Sequence, residues 1–326
     1  MILEKGSPAI MNRVLKKRIL TLEDINKQAA TQPAAFMQRE NERYFDDLDA
    51  VVRQIALSAD GSRCLVLLSG PSSSGKTTTA LLLRDSLRGM GIDAHTVSLD
   101  DFYRGRELAP RLPDGRFDYE SPEALDLPRL EDCMQRLIRD GHAFLPRFDF
   151  QAGRPAEETT ELKLREDSVV IFEGIHALNP AFEGHLPREN LVKIFVNTIS
   201  PIYGKEGKLM ARRDIRLVRR ILRDYRFRSS SVENTLDMWT QVVAGENLYM
   251  FPYVDTVDLV VDTTHAYEPC VFAGEVLPLL YAVGEGDPHS GTVRRLIEEL
   301  GRFTPLSADE VPRETLLREF LGGGLY

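Results

Sequence analysis

Eight consecutive residues, Gly70-Pro71-Ser72-Ser73-Ser74-Gly75-Lys76-Thr77, match the pattern G-x-x-x-x-G-K-[ST]. Glycines at both ends of so short a loop let backbone N–H groups turn inward around phosphate oxygens, and a helix starting at once adds its positive end. In such a loop the lysine bridges the β- and γ-phosphates of a nucleotide, and the following hydroxyl ligates Mg²⁺. The expected phosphate contacts are therefore Gly70, Ser72, Ser73, Ser74, Gly75, Lys76, Thr77 and Thr78, with ATP and Mg²⁺ as the implied cofactors. Two acids stand where they could serve the same reaction. Asp100, in Ser98-Leu99-Asp100-Asp101-Phe102-Tyr103, follows an apolar run. A carboxylate beyond the carboxyl end of a parallel strand can take the proton of an acceptor hydroxyl, and an aromatic neighbour can wall a small substrate. A solvated Asp-Asp turn is the plainer reading of the same residues. Glu173 closes a second apolar run, SVVIFEG, where it can act on Mg²⁺ directly or through water.

A third signal is cationic. Arg212, Arg216, Arg219, Arg220 and Arg223 share one helical face, and residues 205–228 hold ten Lys/Arg against three Asp/Glu. Such a face can form a lid that neutralises charge on a transferring phosphoryl group, although a solvated charged face is the ordinary reason for such a run.

These residues need a scaffold that brings strand ends together. Short continuous apolar runs at 64–69, 94–99, 168–172, 191–196 and 257–261 read as strands buried on both faces. Helical patterns at 77–88, 130–140, 211–225 and 232–249 lie between them, and strands alternating with helices imply a mainly parallel sheet. The segments 143–146 and 159–164 suit a small antiparallel insertion. The expected fold is α/β, a P-loop type sheet flanked by helices. Residues 1–60 form a helical extension, 61–267 the main domain, and 268–326 a mostly helical tail packed on the core or on a second subunit.

Composition narrows the partners. A net charge of −9 argues against wholesale nucleic-acid or acidic-membrane binding. Cys64, Cys133 and Cys270 lie far apart without metal-ligand spacing, so neither a disulfide framework nor a structural zinc is expected. No apolar stretch approaches the roughly 20 residues of a membrane span, and no signal-peptide core is present. A cytoplasmic protein acting on a small molecule is the expectation.

In order and spacing, GPSSSGKT, SLDDFY, GRFDYESPEALD, LPRFDF, VVIFEGIHALNP and RLVRRILRD resemble the uridine kinase/phosphoribulokinase family, over roughly residues 62–265. The look is closest to the uridine kinase-like nucleoside kinases. The resemblance implies Asp100 as catalytic base beside Lys76, Tyr103 as an acceptor-site wall, and Glu173 as the acid near Mg²⁺. It places Tyr119 and Glu120 near the nucleoside, with Glu120 where uridine kinases carry an aspartate for the ribose hydroxyls. Arg216 and Arg219 would be lid arginines, and a homo-oligomer would be normal. Two departures bear on the acceptor. Uridine–cytidine kinases read the pyrimidine base with a Tyr-Asp-Phe segment and a histidine just after it; here Phe148-Asp149-Phe150 and Gly153 stand in those places. Conversely, Glu173-Gly174-Ile175-His176 looks more like the EGLH of phosphoribulokinases and puts His176 in the acceptor site. The expected activity is transfer of the γ-phosphoryl group of ATP to a hydroxyl, first of all the 5′-OH of a nucleoside. A sugar-phosphate or polyol kinase and a non-catalytic nucleotide-binding regulator are the alternatives.

Overall fold

A strand covered on both faces has apolar residues at every position rather than at every second one, and Cys64-Leu65-Val66-Leu67-Leu68 is such a run. The computed structural model describes residues 18–183 and 186–326. Of the helical extension expected at the N-terminus, 1–17 lie outside the described residues. The main elements in chain order are α1 (Leu22–Thr31), α2 (Pro33–Ser58), β1 (Cys64–Ser69), α3 (Lys76–Gly89), β2 (Ala94–Ser98), α4 (Leu127–Arg139), β3 (Val169–Glu173), β4 (Leu191–Asn197), α5 (Arg212–Phe227), α6 (Val232–Tyr249), β5 (Leu259–Asp262), α7 (Glu268–Tyr281) and α8 (Ser290–Leu300).

The five strands form one sheet in the order β2-β3-β1-β4-β5, parallel throughout. Leu65 pairs with Val170 on one side and Leu191 on the other, so β1 is central. Its side chains alternate between two cores. Cys64, Val66 and Leu68 face the larger one, under α2, α3, α5 and α7; Leu65 and Leu67 face the smaller one, under α4. All strands therefore end at one edge, where the phosphate loop leaves β1, Asp100 follows β2 and Glu173 ends β3. The expected antiparallel insertion is present, His142–Leu145 pairing with Thr160–Lys163 beside the sheet. No described helix is long and apolar enough to cross a membrane.

Where element ends differ from the sequence pattern, caps explain it. The second strand stops at Ser98 because its hydroxyl accepts the Asp100 N–H at 3.3 Å and turns the chain into a short 3₁₀ helix, Leu99–Phe102. The fourth helix starts at Leu127 because Asp126 caps it through the Arg129 N–H, with proline in its first turn.

Both flanking segments share the larger core. From α2, Phe36, Tyr44, Leu48 and Ile55 pack into it, and from beyond α8 come Leu316, Leu317 and Phe320. Tyr44 Oη lies 2.7 Å from Thr79 Oγ1 in α3, and Thr79 Oγ1 also donates to Gly75 O. Glu40 accepts the Ala266 N–H, and Arg43 donates to Thr264 O, which ties α2 to the chain after β5.

Tyr44→Phe should cost about 1 kcal/mol of folding stability, the worth of one buried hydrogen bond. Urea unfolding monitored by circular dichroism measures it. An unchanged midpoint would mean that the Tyr44 hydroxyl is not bonded to Thr79 in solution.

Candidate functional site

The phosphate loop has little freedom. Gly75 is left-handed (φ 88°), and a Cβ there would sit 2.5 Å from Leu316 Cδ1. Gly70 approaches β4 so closely that a Cβ would stand 2.1 Å from Val196 O. Ser73 adopts φ 58°, a conformation few non-glycine residues take without support from their surroundings.

That support comes from behind. Arg216 NH1 and NH2 bond both oxygens of Glu246 in α6 at 2.7 and 2.9 Å, and NH1 also donates to Ser72 O at 2.9 Å. Arg219 pairs through Nε and NH2 with Glu268 at the start of α7, and its NH1 donates to Ser73 O at 3.3 Å. Thr263 Oγ1 donates to Ser74 O at 2.7 Å. Three successive carbonyls are thus held outward. Glu246 Oε1 also accepts the Ser72 N–H at 2.8 Å, and Arg220 donates to Ser72 Oγ at 2.7 Å. With the carbonyls held outward and helix α3 beginning at Lys76, the loop presents a helix N-terminus to an incoming anion.

Arg216 and Arg219 are expected from the family resemblance to face a phosphoryl group. The structure places both elsewhere. Their side chains are deeply buried, at 1% and 0% exposure, and the terminal nitrogens of Arg216 and all three nitrogens of Arg219 are bonded to Glu246, Glu268, Thr263 and the loop carbonyls. The helix turns this part of the arginine face inward because Glu246 and Glu268 wait there. Arg228, just past α5, lies instead within electrostatic reach of Asp100, and burial lowers its pKa.

Glu173 lies in front of the loop. Its Oε1 accepts from Ser98 Oγ at 3.0 Å and from Thr77 Oγ1 at 3.4 Å. Burial pushes its carboxyl up to about 7, with Lys76 pulling the other way. A buried carboxylate bonded to two hydroxyls, one of them the loop threonine, suits a hard divalent cation. Among the described residues no group of three or more His, Cys, Asp or Glu could hold a metal alone. The donor set therefore fits Mg²⁺ shared with nucleotide phosphates better than an all-protein cage. Lys76 Nζ rests on Pro71 O at 3.3 Å.

Asp100 reaches solvent, yet protein encloses it at longer range. The lost hydration raises its carboxyl pKa, opposed first by Lys76 and then by Arg228. Around it stand the other expected acceptor-side residues. The Tyr103 ring packs edge-on to Phe148 at 5.8 Å, and its hydroxyl donates to Tyr119 O at 3.3 Å. Tyr119 itself is exposed and stacks on Phe117. Glu120 is pushed up to about 7 by burial and then by Glu246, while Arg220 acts against them. Both ring nitrogens of His176 are shut off from solvent, and the Glu120 backbone lies within reach of the ring. Burial holds the ring pKa down to about 4, so it is a neutral imidazole beside Tyr249. Gly153 lies in the turn between the paired segments Phe148–Asp149 and Arg154–Pro155 with φ 69°, and a Cβ there would meet Arg106 Cδ at 2.7 Å.

Sequence reasoning placed helix α6 but gave it no part in the site. Gln241 donates to Phe117 O, Tyr249 donates to Asp118, Gly245 packs against Glu120, and Glu246 holds the phosphate loop. One helix therefore joins the phosphate loop to the segment 117–120. Its spacing reads as an ordinary helical pattern, and only contacts more than a hundred residues apart show what it joins.

Comparison with known proteins agrees with this geometry. The model of the Phosphoribulokinase / Uridine kinase family matches residues 65–268. The uridine kinase of Mycoplasma genitalium is 29% identical over 185 residues, 57% of this chain and 78% of its own. That of Deinococcus deserti is 26% identical over 206 residues, 63% and 89% of the two chains. Among solved structures, phosphoribulokinase from Rhodobacter spheroides superposes with a TM-score of 0.41 at 19% identity, covering 64% of this chain and 74% of that one.

The raised Glu120 pKa makes a signed prediction. Its folded value, about 7, stands above the ordinary 4.5, so the protonated carboxyl stabilises the fold fully below about pH 4.5. That contribution is lost as pH rises through 7. Relative to Glu120→Gln, the ligand-free protein should lose on the order of 2–3 kcal/mol across this window. Urea unfolding of both proteins at pH 5, 6, 7 and 8 tests it; parallel profiles would place Glu120 in water.

Proposed function

Since the chain belongs to the phosphoribulokinase/uridine kinase family, whose members are P-loop kinases, we propose that it transfers the γ-phosphoryl group of ATP to a hydroxyl of a small molecule, first of all the 5′-hydroxyl of a nucleoside. The observation that carries this reading is the convergence of Lys76, Thr77, Glu173 and Asp100 at one edge of the sheet, with Asp100 in the electrostatic field of Lys76.

In this reading the N-terminal turn of α3 binds the phosphates of ATP, and Lys76 leaves Pro71 O to bridge β- and γ-oxygens. Thr77 and Glu173 would hold Mg²⁺, which would neutralise phosphate charge. Asp100 accepts a hydrogen bond from the acceptor hydroxyl and takes its proton. The acceptor oxygen forms a bond to the γ-phosphorus, the bridging β–γ oxygen bond breaks, and ADP leaves. The raised Asp100 pKa makes it a better base than a solvated aspartate. Glu120, Tyr103, Tyr119 and Phe148 wall the acceptor, and Arg220 and Arg228 supply positive charge at the cleft. Arg216 and Arg219 act indirectly, by keeping the loop carbonyls turned away from the phosphates.

One observation favours a second acceptor class. Gly153 is left-handed, with Arg106 packed where a side chain would start, so the base-reading histidine of uridine–cytidine kinases has no counterpart there, while the buried imidazole of His176 lies next to Glu120. A sugar phosphate or polyol would suit hydroxyl- and imidazole-based recognition.

ADP release from ATP–Mg²⁺ across nucleosides, ribulose 5-phosphate and simple polyols, with Lys76→Ala as blank, separates the two classes. Asp100→Asn should lower kcat about 100-fold or more with ATP affinity nearly intact. Unchanged turnover would remove Asp100 from the base role. Silence from every acceptor, with ATP still bound, would leave the regulatory alternative.

A further inference from the structure

The C-terminal segment lies outside the part of the chain that matches the family, 65–268, yet it reaches the phosphate loop. Leu316 covers the bare face of Gly75, close enough that the loop could carry no side chain there. Phe320 lies against the Arg219 guanidinium, 5.1 Å from ring centroid to carbon. Between them, Glu319 Oε2 accepts from Thr78 Oγ1 at 2.6 Å. The segment is anchored on both sides of this contact. Thr315 Oγ1 donates to Asn41 Oδ1 within a buried group that includes Tyr267 Oη, and Leu321 O accepts from Arg226. Glu319 is thus held, not draped, beside the first turn of α3.

Thr78 is the third residue of α3, so its N–H is among the orphan donors of that turn. The end of a helix that attracts phosphate also attracts a carboxylate. Glu319 stands at that end with Glu173 and Arg228 in its electrostatic surroundings. A triphosphate arriving on the loop brings several negative charges to a turn that already faces Glu319.

We propose that Glu319 is a further donor-site residue, supplied by the C-terminal segment, whose carboxylate competes with nucleotide phosphate for the first turn of α3 and sets donor affinity low. The proposal rests on the reading of Gly70–Thr78 as a nucleotide site. Bound nucleotide weakens the Glu319–Thr78 contact.

Calorimetric titration of ATP–Mg²⁺ and ADP into the full chain tests it. Glu319→Gln keeps the shape and removes the charge, and should bind ATP about tenfold more tightly at low salt, with the gain shrinking as ionic strength rises. Glu319→Asp keeps a charge and should stay near the unsubstituted protein. Unchanged or weaker binding by a folded Glu319→Gln would overturn the proposal while leaving the nucleotide site standing. So would equal tightening in both variants, because a lost contact rather than a lost charge would then be the cause. No ATP binding by the unsubstituted chain would instead refute the nucleotide reading, and this proposal with it. Should Glu319→Gln not fold, hydrogen exchange of amides 319–324 in the unsubstituted protein decides: faster exchange with ATP–Mg²⁺ is expected, and unchanged or slower exchange overturns the proposal.

Discussion

Two guanidinium groups with almost no access to water hold the phosphate loop in place. Arg216 and Arg219 each give two donors to a buried carboxylate and another to a loop carbonyl, at Ser72 O and Ser73 O. Taking such ions out of water costs several kcal/mol apiece, and removing one partner of a buried pair typically costs about 3–5 kcal/mol because the other is left uncompensated. The pairs therefore contribute less to net stability than to uniqueness of conformation. A loop with a non-glycine residue at φ 58° and a glycine at φ 88° has other backbone states within easy reach, and the outside hydrogen bonds select one of them. Rings lie against both cations, Trp239 at 5.3 Å and Phe320 at 5.1 Å, so neither guanidinium can swing out without exposing apolar surface.

The electrostatics of the cleft follow from that arrangement. With Arg216 and Arg219 neutralised by Glu246 and Glu268, the charge in front of the loop is shared between three acids and the cations Lys76, Arg220 and Arg228. Asp100, Glu120 and Glu173 have all lost hydration, and all three have raised pKa values. Lys76 is the cation that most opposes this at Asp100 and Glu173; Arg220 does so at Glu120. Such a site is better matched to a metal-bound nucleotide and a neutral, hydroxyl-rich acceptor than to a naked polyanion. It also explains why a carboxylate at Thr78 matters: one more negative charge beside α3 shifts an already delicate balance.

Flanking segments complete the same machinery. Thr78 and Thr79, adjacent in α3, are bonded to Glu319 from the C-terminal side and to Tyr44 from the N-terminal side. Helix α6 carries the opposite connection, with Glu246 on the loop and Gly245, Gln241 and Tyr249 on the segment 117–120. A displacement of α6 is thereby transmitted both to the phosphate loop and to that segment, as expected where packed elements have few alternative positions.

The sequence by itself determined what local pattern can carry. Glycine, lysine and threonine at fixed offsets after an apolar run specify the phosphate loop, and double-faced apolar runs separated by helical periods specify the parallel sheet, because neighbours along the chain make both. Asp100 and Glu173 were legible for the same reason: parallel strands must end at one edge. The arginine face of α5 shows the limit. Spacing at i, i+3 and i+4 tells which residues share a side, not what that side meets. Water, a phosphoryl group, and buried acids 30 residues away at Glu246 or 49 away at Glu268 all leave the same trace in the pattern. Tertiary structure alone decided that Arg216 and Arg219 brace the loop from behind, that α6 joins the loop to the segment 117–120, and that Glu319 reaches Thr78 from 241 residues away. These are contacts between distant segments, chosen by how whole elements pack, and no local spacing encodes them.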